Sequence, residues 1–412
     1  MINKSGFIWN MIGSVIYAIF SAIILAFCTR LNGIEIAGIF SIVYATSCIM
    51  NSIGDFGIRI YQVTDTKKNF AFSDYFSARI ISVAIMVASS LIIAVFSGYT
   101  STKLAIYIIL IIYRIIDNIS ETFQAEFQIN DRLDLGGKSM VYRNIISILI
   151  FIIINLISKN IILSCIGMTL GNLFIFLIFD VKVFKKINKD KIEINYHKAK
   201  NIVKECFPIG LATVLNVYVI NAVKYAIDNT QDYTMQTYFN IIYMPTFAIN
   251  LISIFLIKPF LKIFGEYWNN REYKKLYITI NKIVTMLIVA TIIIELICFF
   301  IAIPILNIFY GVEISEFKLD LMILVVSGLL YAICNLFFNI LGTMRKQKYI
   351  SYIYIIISIF SYIVPKFIVK EYGMRGAVIS NLMIMFGLCL LFIIFFIKGI
   401  KNGRRVEKDE EI

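Results

Sequence analysis

The chain has 412 residues, of which 59% are hydrophobic and only 16% charged, and its mean hydropathy is +0.83. That leaves too little polar surface to clothe a water-soluble globule, so the surrounding solvent is predicted to be lipid. The net charge of +13 would suggest nucleic acid in a soluble protein. Here the charges fall mostly between apolar runs, where membrane topology is the better explanation and no nucleic-acid partner is expected.

In chain order, apolar runs long enough to cross a bilayer lie at 7 to 28, 36 to 58, 78 to 99, 104 to 129, 141 to 158, 161 to 180, 207 to 228, 237 to 261, 277 to 303, 319 to 342, 350 to 369 and 376 to 397. They predict an all-α integral membrane protein with twelve transmembrane helices. Runs of this length without ten-residue alternation exclude an outer-membrane barrel. The run after Lys4 has no small-residue cleavage site before Arg30, so a retained helix is expected there rather than a signal peptide.

Basic residues set the orientation. With an inward amino terminus, the inner segments and adjoining span ends hold 30 of the 39 Lys and Arg, among them Lys4, Arg59, Lys67, Lys68, Arg79, Arg132, Lys138 and Arg143. The outer side holds 7, namely Arg30, Lys103, Lys159, Lys318, Lys366, Lys370 and Arg375. Arg114 and Lys224 lie deeper inside spans. This asymmetry predicts that both termini are cytoplasmic.

The longest connector is the basic stretch VKVFKKINKDKIEINYHKAKNIVKE. It suggests an amino-terminal six-helix half at 1–180, a cytoplasmic linker at 181–206, a carboxyl-terminal six-helix half at 207–397 and a charged cytoplasmic tail at 398–412. A shift of 199 residues lays IFSIVY, from Ile39, on YFNIIY, from Tyr238, and Asn51 on Asn250. An old duplication with parallel repeats would leave such a match.

Charges at mid-bilayer cost about 2.5–3.5 kcal/mol each even on the lenient insertion scale, so they mark protein interior or a cavity. In the fourth span Arg114, Asp117, Asn118, Glu121, Gln124 and Gln128 recur at spacings of three and four, hence on one side of a helix. That face suits either an Arg114–Asp117 salt bridge joining helices or a water-filled path lined with fixed charges. Polar stripes recur in the first span (Asn10, Ser14, Tyr17, Ser21), the second (Tyr44, Ser47, Asn51, Asp55), the seventh (Asn221, Lys224, Tyr225, Asp228) and the eighth (Tyr243, Asn250). Together they are expected to line a central cavity between the halves. Each Ser or Asn taken singly reads as an interhelical hydrogen bond, and their coincidence on corresponding helices is what points to function.

Catalytic signatures are absent. The chain has no P-loop, H-E-x-x-H, G-x-S-x-G or zinc spacing, a single histidine, His197, and seven cysteines without C-x-x-C. Neither an enzyme nor a metal or other cofactor is expected, and the cysteines read as small core residues. The five prolines, Pro208, Pro245, Pro259, Pro304 and Pro365, all fall in the second half, where they loosen helical backbone.

With GFIWNMIGS opening the first span, EIAGIFS entering the second, IGDFG closing it and YFNIIYMPTFAINLISIFLIKP forming the eighth, the chain resembles the polysaccharide-unit flippases of the Wzx type. These belong to the larger superfamily that includes the MATE drug exporters. The resemblance runs end to end and implies a MATE-like fold in a bacterial inner (cytoplasmic) membrane. It also implies translocation of an undecaprenyl-diphosphate-linked oligosaccharide during O-antigen or capsule biosynthesis, by alternating access. Partners would be that lipid-linked substrate, membrane lipid, and polysaccharide polymerase and assembly proteins. On this reading Arg114, Lys224, Asn10, Asn51, Tyr243 and Asn250 contact substrate, while Asp55, Asp117, Glu121 and Asp228 orient the bases or couple to ions. A cation-coupled multidrug exporter of the same fold is the alternative. A membrane-bound polymerase or ligase fits less well, because it would normally bring a large outer loop with Arg and His.

Overall fold

The computed structural model describes residues 4–65, 69–188 and 192–410. Part of the expected linker, and the basic residues Lys67, Lys68, Lys189 and Lys191, lie outside the described residues. Helices account for nearly everything else, and no strand occurs among the described residues.

The chain opens with α1 (Lys4–Asn32), α2 (Ile34–Asp55), the short α3 (Ile58–Thr64), α4 (Phe72–Phe96), α5 (Ser101–Ile129), α6 (Leu133–Ser158) and α7 (Ile161–Ile175). A π-turn, Phe176–Val181, carries α7 into α8 (Lys182–Ile187), and α9 (Tyr196–Thr230) follows. Next come α10 (Tyr233–Tyr243), α11 (Pro245–Ile257), α12 (Leu261–Asn269), α13 (Tyr273–Ile297), α14 (Ile303–Tyr310), α15 (Lys318–Thr343) and α16 (Gln347–Glu410). The chain divides into two compact units, 1–217 and 218–412, with the division inside α9.

Ten described helical stretches are long and apolar enough to cross a membrane. α5 matches α1 in length, at 29 residues, but Lys103, Arg114, Asp117, Glu121 and Glu126 make it more charged than the ten. Side-chain caps, rather than hydropathy, fix where several helices start. Thr100 caps α5, Asn160 accepts from the backbone of Ile162 and Leu163 at the start of α7, and Asp232 accepts from Met235 N at 2.8 Å at the start of α10. α5 and α10 therefore begin a few residues before their apolar runs, while α7 begins with its run. Arg79 and Arg143, which the sequence places at inner span ends, sit well inside α4 and α6.

Two breaks interrupt the helices. Between α2 and α3 the backbone turns left-handed at both Phe56 (φ 46°) and Gly57 (φ 73°), which frees carbonyls at the end of α2. In α16, Gly373 (φ 54°, ψ −130°) is not helical. A Cβ on Gly376 would stand 2.3 Å from the Ile368 carbonyl oxygen. Eight residues span about 12 Å along a straight helix, so the chain doubles back at Gly373.

The prolines divide by role. Pro245 opens α11, Pro259 lies in the 3₁₀ turn Lys258–Phe260 and Pro304 in the first turn of α14, whereas Pro208 and Pro365 remain inside α9 and α16. In the first unit the early part of α9 is a packed element. Ala199, Ile202 and Cys206 share a core with Ile58, Tyr75 and Ala78, Tyr61 donates to Glu205, and Lys198 pairs with Asp74 at 3.1 Å. Gly210 of α9 is pressed against the α2–α3 break, where a Cβ would meet the Phe56 ring at 2.7 Å.

Candidate functional site

The polar face of α5 is buried in the first unit and meets charged partners from three other segments. Arg114 is 1% exposed. Its Nη1 donates to Asp117 Oδ2 at 3.2 Å, its Nε to Ser47 Oγ at 3.3 Å and its Nη2 to Cys48 Sγ at 3.3 Å. The guanidinium also lies 4.9 Å from the centre of the Tyr44 ring, a contact that strengthens away from water. The three-residue spacing brings Asp117 beneath Arg114, and the salt bridge between them is present.

Asp117 is shared. Its Oδ1 accepts from Arg143 Nη1 of α6 at 2.7 Å and from Asn172 Nδ2 of α7 at 3.3 Å. Arg143 Nη1 also donates to Asn172 Oδ1 at 3.2 Å, and its Nε lies 3.9 Å from Asp180 Oδ2 in the π-turn. Asp180 accepts the hydroxyl of Ser120 of α5.

A second circuit begins one residue further along α5. Asn118 Nδ2 donates to Asn51 Oδ1 of α2 at 2.9 Å, and Asn118 Oδ1 accepts from Arg79 of α4 at 3.1 Å. Arg79, fully buried, also donates to Thr122 Oγ1 at 3.0 Å and to the Gly54 carbonyl at 2.7 Å, and it lies 3.4 Å from Asp55. Gly54 O is one of the carbonyls freed by the break after α2, and Ser82 Oγ donates to it as well, at 2.6 Å. A cation at a helix carboxyl end is favourably placed, because partial negative charge accumulates there.

Three arginines, Arg79, Arg114 and Arg143, therefore face three aspartates, Asp55, Asp117 and Asp180, with amides and hydroxyls filling the remaining hydrogen-bonding positions. Near-neutrality makes the cluster tolerable: each buried ion costs several kcal/mol to desolvate unless it is paired and hydrogen-bonded. Glu121 adds a further carboxylate within electrostatic reach of Asp55, Arg59, Arg79 and Asp117. It is half-buried, and among the described residues it makes neither a hydrogen bond nor an ion pair. No three His, Cys, Asp or Glu side chains among the described residues converge to hold a metal ion. All seven cysteines are unpaired and six of them are buried.

Of the other residues singled out from the sequence, Tyr17 lies within electrostatic reach of Arg114 and Asp117 at the edge of this cluster, and Asn10 and the second unit's residues make other contacts. Asn10 is half-buried in α1, where its carbonyl takes the Ser14 hydroxyl at 2.8 Å, and Tyr17 is 43% exposed. In the second unit Lys224 Nζ lies 5.7 Å from the centre of the Tyr243 ring, so α9 and α10 bring two of these residues together. Asn250 Oδ1 accepts from Asn335 Nδ2 of α15 at 3.0 Å. Asp228 is half-buried in the last turn of α9.

Sequence reasoning missed Arg79, Arg143, Asn172 and Asp180. The two arginines looked like topology signals at span ends. Asp180 carried one usable signal, an acidic residue closing the apolar run LFIFLIF with no base before it.

No protein-family model matches the chain. The capsular polysaccharide biosynthesis protein CapF of Staphylococcus aureus is 26% identical over 339 residues, covering 78% of this chain and 82% of the relative. An inward-facing multidrug resistance MATE family transporter of the MOP superfamily has the same fold. The TM-score is 0.68 over 95% of this chain and 96% of that one, at 12% identity. A MOP superfamily transporter from Pyrococcus furiosus gives 0.61 over 97% and 95%, at 13% identity. The fold is thus shared with these transporters, in a multi-pass membrane protein with a capsular polysaccharide relative. Both findings support the resemblance to Wzx-type flippases.

Proposed function

We propose that this protein is a flippase that moves undecaprenyl-diphosphate-linked oligosaccharide repeat units across the bacterial inner membrane for surface polysaccharide assembly. The observation that carries the reading is the match to a capsular polysaccharide protein over 78% of the chain, on a transporter fold. The chemistry agrees with it. A diphosphate and a sugar chain do not cross hydrocarbon unaided, so the protein has to supply polar and cationic surface while the polyprenyl tail stays in lipid.

The membrane topology we propose has twelve crossings. α5 is the polar one, α16 supplies two either side of Gly373, and both termini are cytoplasmic, with two six-helix halves joined by the 181–206 linker. Substrate contacts fall to Arg114, Lys224, Asn10, Asn51, Tyr243 and Asn250 during an alternating-access cycle. Asp55, Asp117, Glu121 and Asp228 orient the bases or couple transport to ions. Glu121, partly exposed and outside the balanced pairs, is the carboxylate best suited to take up and release a cation or proton.

Deleting the gene should leave lipid-linked repeat units on the cytoplasmic side and remove surface glycan, measured by extraction and labelling of the lipid-linked pool. The Arg114→Ala, Lys224→Ala double variant should reproduce that defect with the protein still in the membrane. Normal surface glycan in the double variant sinks the site assignment. Altered sensitivity to cationic drugs with unchanged glycan favours the exporter reading instead.

A further inference from the structure

The first turns of α9 have three flanks, two of which are committed within the first unit. Ala199, Ile202 and Cys206 are buried in the core that Ile58, Tyr75 and Ala78 complete. Beside them Lys198 pairs with Asp74 of α4 at 3.1 Å and Glu205 accepts the Tyr61 hydroxyl of α3, so the helix is anchored before its apolar run begins at 207. The third flank is open. Tyr196, Lys200, Lys204 and Phe207, at spacings of four, four and three, share one side of the helix. Tyr196 is 67% exposed and Phe207, which meets the Phe56 ring edge-on, is 55% exposed. Both lysines are exposed, and among the described residues they make neither a hydrogen bond nor an ion pair.

Depth decides what this flank meets. Along a helix Lys204 lies about 4.5 Å and Lys200 about 10.5 Å before residue 207, which is the zone of lipid headgroups rather than of hydrocarbon. Their long stems let the ammonium groups settle at the level of the phosphates. Phe207 stands where hydrocarbon begins, and Tyr196 closes the polar end. A zwitterionic headgroup offers the same phosphate but brings its own cation, which two adjacent lysines repel.

We infer that the flank formed by Tyr196, Lys200, Lys204 and Phe207 binds an anionic phospholipid, with both ammonium groups on the headgroup phosphate and an aromatic ring on either side. The inference rests on charge, exposure and depth, and not on the transported substrate. A topology signal requires only that lysines gather on one side of the membrane. Here they stand on an anchored helix between two rings, an arrangement that holds one lipid rather than attracting a diffuse layer.

Native mass spectrometry of the full chain, with phosphatidylglycerol titrated against phosphatidylcholine, tests this. Phosphatidylglycerol should be retained in preference. Lys200→Gln combined with Lys204→Gln should weaken its binding about thirtyfold, and either change alone about fivefold, from about 1 kcal/mol for each lysine near a charged surface. The single variants serve if the double one does not fold. Lys274→Gln combined with Lys275→Gln, which removes two exposed bases from α13, should leave the binding nearly unchanged. Equal retention of the two lipids overturns the inference, as does an equal loss in the α13 variant, which would make net charge the cause. Displacement of phosphatidylglycerol by equimolar inorganic pyrophosphate also overturns it, in favour of a lipid diphosphate as the occupant.

Discussion

The two compact units carry the same amide pair in different surroundings. In the first, Asn118 of α5 donates to Asn51 of α2 at 2.9 Å; in the second, Asn335 of α15 donates to Asn250 of α11 at 3.0 Å. Asn51 and Asn250 are the residues that the 199-residue shift superimposes. Around the first pair stand Arg79, Arg114, Asp117 and Asp55. Along α15 the only charges are Lys318 and Asp320, at its start. An interhelical amide bond is enough to fix two helices. The charged pairs of the first unit are thus an addition to a contact that the second unit makes with amides alone.

The strongest test of that contrast is Asp117→Ala. It removes the carboxylate shared by Arg114 and Arg143, leaving two buried cations short of a partner, and should destabilise the protein by about 3–5 kcal/mol. Thermal unfolding in detergent measures this, and surface glycan should be lost in parallel. Arg79→Ala should come next, at about 3 kcal/mol, because it exposes both Asp55 and the Gly54 carbonyl. Arg79→Lys should recover only part of the loss, since an ammonium does not reach several acceptors at once.

Gly210→Ala probes the packed break beside the network. A Cβ there would meet the Phe56 ring at 2.7 Å and the Phe56 carbonyl at 2.9 Å, so a loss of about 1–3 kcal/mol is expected on the same unfolding curve. Asn335→Ala in the second unit should cost only about 0.6 kcal/mol. Should it rival Asp117→Ala, the distinction between the units fails. A similarly small effect on stability is expected for Lys224→Ala, about 0.5–1 kcal/mol from the lost contact with Tyr243. That variant should be well folded yet deficient in surface glycan.

Much of the first unit's site was legible in the sequence. The spacing of Arg114, Asp117, Asn118, Glu121, Gln124 and Gln128 gave one helix face, of which Arg114, Asp117, Asn118 and Gln124 are buried while Glu121 and Gln128 are half-buried. Arg79 and Arg143 were hidden by their position. Both lie where a positive-inside count takes any base to be a topology signal, and only the extension of α4 and α6 beyond their apolar runs carries them into the interior. The inward aim of Asp180 depends on a π-turn, which has no residue signature in LFIFLIFDV.

The sequence by itself determined the solvent, the helical class, the positions of the apolar spans and the polar face of α5. Each of these follows from composition or from a period within a single helix, where neighbours in space are three or four residues apart in the chain. Tertiary structure alone decided which charges neutralise one another. Arg114 shares Asp117 with an arginine 29 residues further along, and Arg79 meets partners on α2 and α5. Such pairings depend on how helices rotate and slide against each other, which no periodicity within one of them encodes.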